Sequence, residues 1–248
     1  MKNFFLIIII IANPSIISKD NIIRLPWGEF EEILSVICEF LPDNPTIVEA
    51  GAYDGSETVM MAKKIPDAKI YSFEPVPELY RKLNTKANSY KNINTYQLAL
   101  ADFNGKTKFH TSEESDAPGV VSQSSSILKP KDHLIYSSTC FKNTIEVSAV
   151  TLDTWAKSNN IDHIDFLWLD MQGYELNTLK ASPEILKTVK VIFTEVEFVE
   201  AYAGQSLYQE IKSWLESQGF KMVARNFDEP IVKINAGNWF GDALFIRK

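Results

Sequence analysis

One stretch constrains this chain more than any other: Thr46-Ile47-Val48-Glu49-Ala50-Gly51-Ala52-Tyr53-Asp54-Gly55. Ile47 and Val48 read as a buried strand that runs into an acid, Glu49; a glycine turn spans Gly51 to Gly55, and a helix opens at Ser56. Glycine permits torsions and close approaches that a side chain would block. A helix that starts just after such a turn points free N–H groups and its positive dipole end at whatever sits there. The pattern then closes on itself, because a second strand, Ile70-Tyr71-Ser72-Phe73, ends in Glu74. Strand, glycine turn, helix and a second strand ending in an acid make up a nucleoside-binding unit, in which the acid accepts from ribose hydroxyls.

The rest of the chain keeps alternating. Pro26 opens a predicted helix whose apolar residues are Trp27, Phe30, Ile33, Leu34, Ile37, Phe40 and Leu41, ended by Pro42 and Pro45. Pro75 and Pro77 start another helix, with Leu79, Leu83 and Ala87 inward. Residues 92–100 read as a third strand leading to Asp102, Asn104-Gly105 as a turn, and residues 106–110 as a returning strand. Residues 111–143 are polar, serine-rich and without clear periodicity, which predicts a functional loop or lid. Strands follow at 145–150, 163–169 and 189–193, with Thr151 as an N-cap. A helix over 205–218 is stopped by Gly219, and strands at 220–225 and 239–246 form a closing antiparallel pair. The fold class expected is α/β, a Rossmann-like sandwich with a mostly parallel sheet and an antiparallel C-terminal hairpin.

At 248 residues the chain suits one such domain with decorations. The division expected is an apolar segment at 1–18, a helical cover at 19–45 and the main domain at 46–248, with 111–143 as its insertion. A net charge of -7 disfavours nonspecific binding to nucleic acid, which wants a basic face. Cys38 and Cys140 lack CxxC context and read as a buried helix residue and a loop thiol. His110, His133 and His163 lack zinc-site spacing, so no metal is expected. Lys2 precedes Phe4, Phe5, Leu6 and five isoleucines, a run too short to span a bilayer comfortably. It fits a signal-peptide core without a clean cleavage site, an interfacial anchor touching a membrane through residues 4–12, or an arm packed on the domain. The location expected is accordingly cytoplasmic, with or without membrane association, or else exported.

Ligands in such sheets bind outside the carboxyl ends of the strands, where Glu49, Glu74, Asp102, Asp170 and Glu195 all fall. Glu74 is the candidate for the ribose. Asp102 either accepts from an adenine amino group or supports the Asn104-Gly105 turn. Gly51 and Gly55 are only the outer glycines of a turn, whereas a nicotinamide enzyme wants G-x-G-x-x-G. Carboxylates at Glu49 and Asp54 would repel a pyrophosphate but attract the sulfonium and ammonium of S-adenosylmethionine. The expected donor site is therefore Glu49, Gly51, Tyr53, Asp54, Gly55, Glu74 and Asp102. Methyl transfer also requires alignment of donor and acceptor, and removal of a proton when the acceptor is a hydroxyl. Asp170 and Glu195 are the catalytic candidates, with His110 and His133 as outsiders; the alternative for Asp170 is a cap on the following short helix. A nicotinamide-dependent oxidoreductase and a catalytically silent nucleoside-binding protein are the rival readings.

Val48-Glu49-Ala50-Gly51-Ala52-Tyr53-Asp54-Gly55, Phe73-Glu74-Pro75, Ala99-Leu100-Ala101-Asp102, Thr151-Leu152-Asp153 and Leu169-Asp170-Met171-Gln172-Gly173-Tyr174-Glu175 resemble, in this order, the FkbM-type family of S-adenosylmethionine-dependent methyltransferases. The resemblance covers residues 46–248. It implies a seven-stranded methyltransferase sheet and O-methylation of a hydroxyl on a sugar or small molecule. The family often has Asn in the second half of the turn, at Tyr53 and Asp54, and Glu at Gln172; the latter departure removes a carboxylate beside Asp170 and argues against a metal there.

Overall fold

The computed structural model describes residues 22–231 and 233–248. Expectations for residues 1–18 lie outside the described residues. Among the described residues no helix is long and apolar enough to cross a membrane.

The chain alternates strands and helices as its periodicities require. The strands are β1 (Ile23–Arg24), β2 (Thr46–Ala50), β3 (Lys69–Phe73), β4 (Ile93–Tyr96), β5 (Ala99–Leu100), β6 (Gly105–Glu114), β7 (Ala117–Val121), β8 (Cys140–Val150), β9 (Phe166–Leu169), β10 (Val191–Glu197), β11 (Phe220–Arg225) and β12 (Phe240–Arg247). The helices are α1 (Phe30–Cys38), α2 (Ser56–Lys64), α3 (Pro77–Ala87), α4 (His133–Tyr136), α5 (Leu152–Ser158), α6 (Glu175–Lys180), α7 (Pro183–Leu186) and α8 (Tyr208–Ser217). Thr151 caps α5 as its sequence position predicts, its side chain accepting from the Thr154 N–H.

The main sheet has the order β1-β11-β12-β10-β9-β2-β3-β4. β2 lies parallel to both β3 and β9, and β9 to β10, while β12 runs antiparallel to β10 and β11. Seven strands match the expected sheet; β1 is an eighth, a two-residue edge parallel to β11. Side chains alternate across β2 and β9, so each strand feeds two cores. Val48, Leu167 and Leu169 pack with Trp155, Leu176, Ile211 and Leu215 on one face. Ile47, Phe166 and Trp168 pack with Ile33, Leu34, Ile37 and Met61 on the other. Full burial of one such side chain contributes about 1.5–3 kcal/mol, and the two-sided covering accounts for β9 being apolar throughout.

Three expectations are corrected. Residues 111–143 are only partly irregular: their ends and residues 117–121 belong to β6, β7 and β8, which with β5 form a second sheet, β6 and β8 pairing antiparallel. An apolar patch of it that includes Phe109, Val147 and Ala149 packs inward, and β6 is polar apart from Gly105 and Phe109, so its period-2 signal is weak. The strand expected over 92–100 divides, β4 staying in the main sheet while β5 joins the second. The first helix begins at Phe30 rather than Pro26, because Gly28 takes a positive φ of 74° that α-helix does not allow. Trp27 is consequently exposed, tilted against Phe240 with ring centroids 5.2 Å apart.

Candidate active site

From β2 the chain proceeds outward through β3 to β4; later it returns to β9 on the other side of β2 and continues to β10. The order thus reverses between β2 and β9, and a crevice opens beyond their carboxyl ends. Gly51 and Asp170, the residues that follow these two strands, meet there. A Cβ on Gly51, whose φ is +89°, would lie 1.8 Å from the Asp170 carbonyl oxygen. The N–H groups of Gly51 and Ala52 both donate to the Phe73 carbonyl, at 3.1 and 2.9 Å, which ties the turn to the end of β3.

Glu74 holds the turn from the other side. Its carboxylate accepts from the N–H of Tyr53 at 3.0 Å and of Val76 at 2.8 Å, one bond to each oxygen. Each oxygen keeps a second lone pair, so the group can still accept from two ligand hydroxyls. Tyr53 has a left-handed φ of 48°, and its hydroxyl donates to the Val121 carbonyl of the second sheet at 3.1 Å. Gly55 is needed for packing: a Cβ there would lie 2.8 Å from Leu83 Cδ1 and 2.9 Å from Leu83 Cα.

These elements enclose a cavity of about 350 Å³. Gly51, Tyr53, Asp54, Glu74 and Asp170 line it, with an apolar wall that includes Leu79, Leu98, Leu100, Phe109 and Ile127. Ser122, Gln123 and Ser125 from the serine-rich insertion also face it. A second cavity of about 210 Å³ is lined by Glu195, Asp242, Trp27, Trp168, Phe193 and Phe240. The two share Gly28, Phe30, Glu57 and Asp170, so Asp170 stands where they adjoin.

Not every expected residue reaches the larger cavity. Glu49 is buried behind the turn, where its Oε2 accepts from the Thr58 hydroxyl at 2.5 Å and its Oε1 has no partner. Gly55 is spent on Leu83, as above. Asp102 is also outside the lining; its Oδ1 accepts from the Tyr174 hydroxyl at 2.7 Å, and Tyr174 does line the cavity. Asp170 does not cap the next helix, whose N-cap position is Tyr174. Neither His110 nor His133 lines either cavity; His133 is buried against Phe141, Tyr202 and Trp239, and burial lowers its pKa to about 4.

Gln172 organises the acids. Its Nε2 donates to Asp170 Oδ1 at 2.8 Å and to Glu195 Oε2 at 2.6 Å, while its Oε1 lies 2.7 Å from the Tyr202 hydroxyl. A carboxylate at this position would face two others, which is why an amide suits it. Gln172 takes a φ of 54°, and its carbonyl accepts from Ser126 Oγ at 2.8 Å, which couples this loop to the second sheet. No lysine or arginine among the described residues lines either cavity. Burial therefore pushes Glu49 and Asp242 up to about 7 and Glu57 and Glu74 up to about 8, and raises Asp170 and Glu195 as well. Asp54 goes the other way: burial opposes it, but the Lys86 ammonium at 2.7 Å and the Ser56 donors hold it below its usual value. Sequence reasoning missed Glu57, which looks like an ordinary first-turn acid, and Asp242, which lies on the last strand. It also missed Tyr202, whose part depends wholly on the fold.

The chain has known counterparts in sequence and in fold. The chain is 28% identical over 204 residues to the 2-O-methyltransferase NoeI of Sinorhizobium fredii (strain NBRC 101917 / NGR234), covering 82% of this chain and 83% of that protein. It is 27% identical to methyltransferase sdnD of Sordaria araneosa, covering 73% and 75% of the two. Among solved structures, the fibrillarin/Nop5p complex matches at 16% identity with a TM-score of 0.50, over 90% of this chain and 84% of that one, a likeness of fold alone. The family described as "Methyltransferase FkbM domain" matches residues 49–222, well over half of the sequence. The chain belongs to the FkbM methyltransferase domain family.

Proposed function

We propose that this protein transfers a methyl group from S-adenosylmethionine to a hydroxyl of a glycan or small molecule, with the donor in the larger cavity and the acceptor in the smaller. The observation that carries the reading is the convergence of Gly51, Glu74 and Asp170 on one cavity at the point where the strand order reverses. The residues suit a nucleoside with a cationic tail. Glu74 has lone pairs for ribose hydroxyls, Leu98, Leu100 and Ile127 offer an apolar wall to adenine, and Gly51 leaves backbone open where a Cβ could not fit. The carboxylates without a cation favour a positively charged ligand over a pyrophosphate. That, together with membership in a methyltransferase family, favours this reading over a nicotinamide enzyme.

When bound, S-adenosylmethionine supplies an electrophilic methyl group on a cationic sulfur. The chain's own part is to bind, align and accept a proton. Asp170 lines both cavities, so its carboxylate is within reach of an acceptor hydroxyl beside the donor. Gln172 orients it and keeps it from repelling Glu195. Glu195 and Asp242, on the smaller cavity, provide acceptors for further hydroxyls, and Trp27 and Phe240 offer aromatic faces to a ring. The relative that methylates a 2-hydroxyl supports O-methylation here, and the acidic balance of the chain favours a small acceptor over nucleic acid.

Thermal unfolding with S-adenosylmethionine, S-adenosylhomocysteine and NAD tests the donor. A ligand at a hundred times its dissociation constant stabilises the folded state by about 2.7 kcal/mol. Stabilisation by the two sulfur nucleosides and not by NAD is expected; stabilisation by NAD alone would overturn the reading.

A further inference from the structure

We propose that Glu57 is the counter-ion for a cationic centre at the amino-acid end of the methyl donor, and the residue that makes the larger cavity prefer charged to neutral ligands. The proposal rests on the donor reading above.

Its position singles it out. Among the residues shared by the two cavities, only Glu57 and Asp170 carry an ionisable side chain. The Asp170 carboxylate is engaged by Gln172. The Glu57 carboxylate receives no hydrogen bond or ion pair from any described residue. An acid in the first turn of a helix ordinarily serves the helix dipole while facing water. Glu57 instead lies on the first turn of α2 and lines both cavities.

The charges around it point to a cation. From β2 comes Glu49, from the end of β9 Asp170, from β12 Asp242 and from the glycine turn Asp54, all of one sign. The nearby cation, Lys86 of α3, is already held by Asp54 and by Ser56, each at 2.7 Å. A part-buried carboxylate among like charges, with no partner of its own, gains more from an entering cation than any group already bonded. Burial and its acidic neighbours hold Glu57 protonated up to about pH 8, so binding a cation there displaces a proton. The donor carries two positive centres, its sulfonium and its α-ammonium, and either satisfies this geometry.

Calorimetric titration of the whole protein with three ligands tests the proposal. S-adenosylmethionine carries both cations, S-adenosylhomocysteine only the ammonium, and 5′-methylthioadenosine neither. In Glu57→Gln, 5′-methylthioadenosine should bind as in the wild type, which also reports an intact cavity, while S-adenosylmethionine weakens tenfold or more. S-adenosylhomocysteine weakening alongside it identifies the ammonium as the partner; unchanged S-adenosylhomocysteine identifies the sulfonium. Unchanged S-adenosylmethionine affinity, or an equal loss for all three ligands, overturns the proposal. The wild type gives an independent check, since titration in buffers of different ionisation enthalpy should reveal proton release with S-adenosylmethionine and none with 5′-methylthioadenosine. Equal proton release by both would also overturn it. If none of the three binds the wild type, the donor reading falls first and takes this inference with it.

Discussion

Gly51 and Asp170 touch backbone to backbone: a single methyl on Gly51 would lie 1.8 Å from the Asp170 carbonyl oxygen. The contact joins the ends of β2 and β9, the two strands between which the sheet reverses order. It places the turn beside the loop that carries Asp170 and Gln172.

Gly51→Ala should therefore damage both folding and the site. The alanine would meet a backbone oxygen and would also hold a φ of +89° that L-residues resist. We expect a loss of stability above about 3 kcal/mol, since steric overlap with backbone adds to the strain of the torsion. Urea denaturation would show it. A midpoint equal to the wild type would mean that the two strand ends can separate freely.

Glu74→Ala removes the acceptor for two N–H groups and for any ribose hydroxyl. Donor affinity should fall by about 1.4 kcal/mol or more, a factor of ten, through the lost hydrogen bonds and the loosened turn. Titration with S-adenosylhomocysteine measures this. Affinity within twofold of wild type would remove Glu74 from the donor site.

Asp170→Asn keeps an oxygen for the Gln172 amide but cannot take a proton. Turnover should fall by about a hundredfold, the usual scale for losing a positioned acid–base group, while the donor dissociation constant changes far less. S-adenosylhomocysteine release in the presence of a panel of methyl hexosides gives the rate, and titration gives the affinity. Equal losses in both would make Asp170 a donor-binding residue instead.

Stability should depend on pH with a definite sign. Glu49, Glu175 and Asp242 are raised to about 7, and Glu57 and Glu74 to about 8, all by burial first. In the unfolded chain these carboxyls lose their protons near their ordinary values of 3.8 for Asp and 4.5 for Glu. Between those values and about pH 8 the folded state holds more protons than the unfolded one, so stability falls as pH rises through this window. Denaturation midpoints at pH 5.5 should exceed those at pH 8.5. Gln172→Glu, which sets a third carboxyl between Asp170 and Glu195, should steepen the fall. A stability that rises with pH would show that these groups are charged in the folded protein.

Much of the site was legible because local chemistry leaves marks in the sequence. The glycine turn, the acid closing β3 and the acid after β9 each reveal a backbone constraint or a strand end, and all three reach one cavity. The second sheet was legible only in part: residues 106–110 and 145–150 read as strands, but β6 continues through the polar Thr111, Ser112 and Glu113, so residues 111–143 carried no apolar period. Glu49 and Asp102 looked equivalent to Glu74 by position, yet side-chain direction turned one toward Thr58 and the other toward Tyr174.

By itself, then, the sequence determined the layered α/β architecture, because apolar periodicity and turn chemistry act over a few residues. It also determined which strand ends carry acids. Only the tertiary structure decided which of those acids share a cavity. Gln172 binds Glu195 across 23 residues of chain, Tyr202 reaches it from 30 residues away, and Glu57 and Asp170 both line the two adjoining cavities. Such meetings depend on strand order and on the direction of each side chain, and neither is written in any single segment.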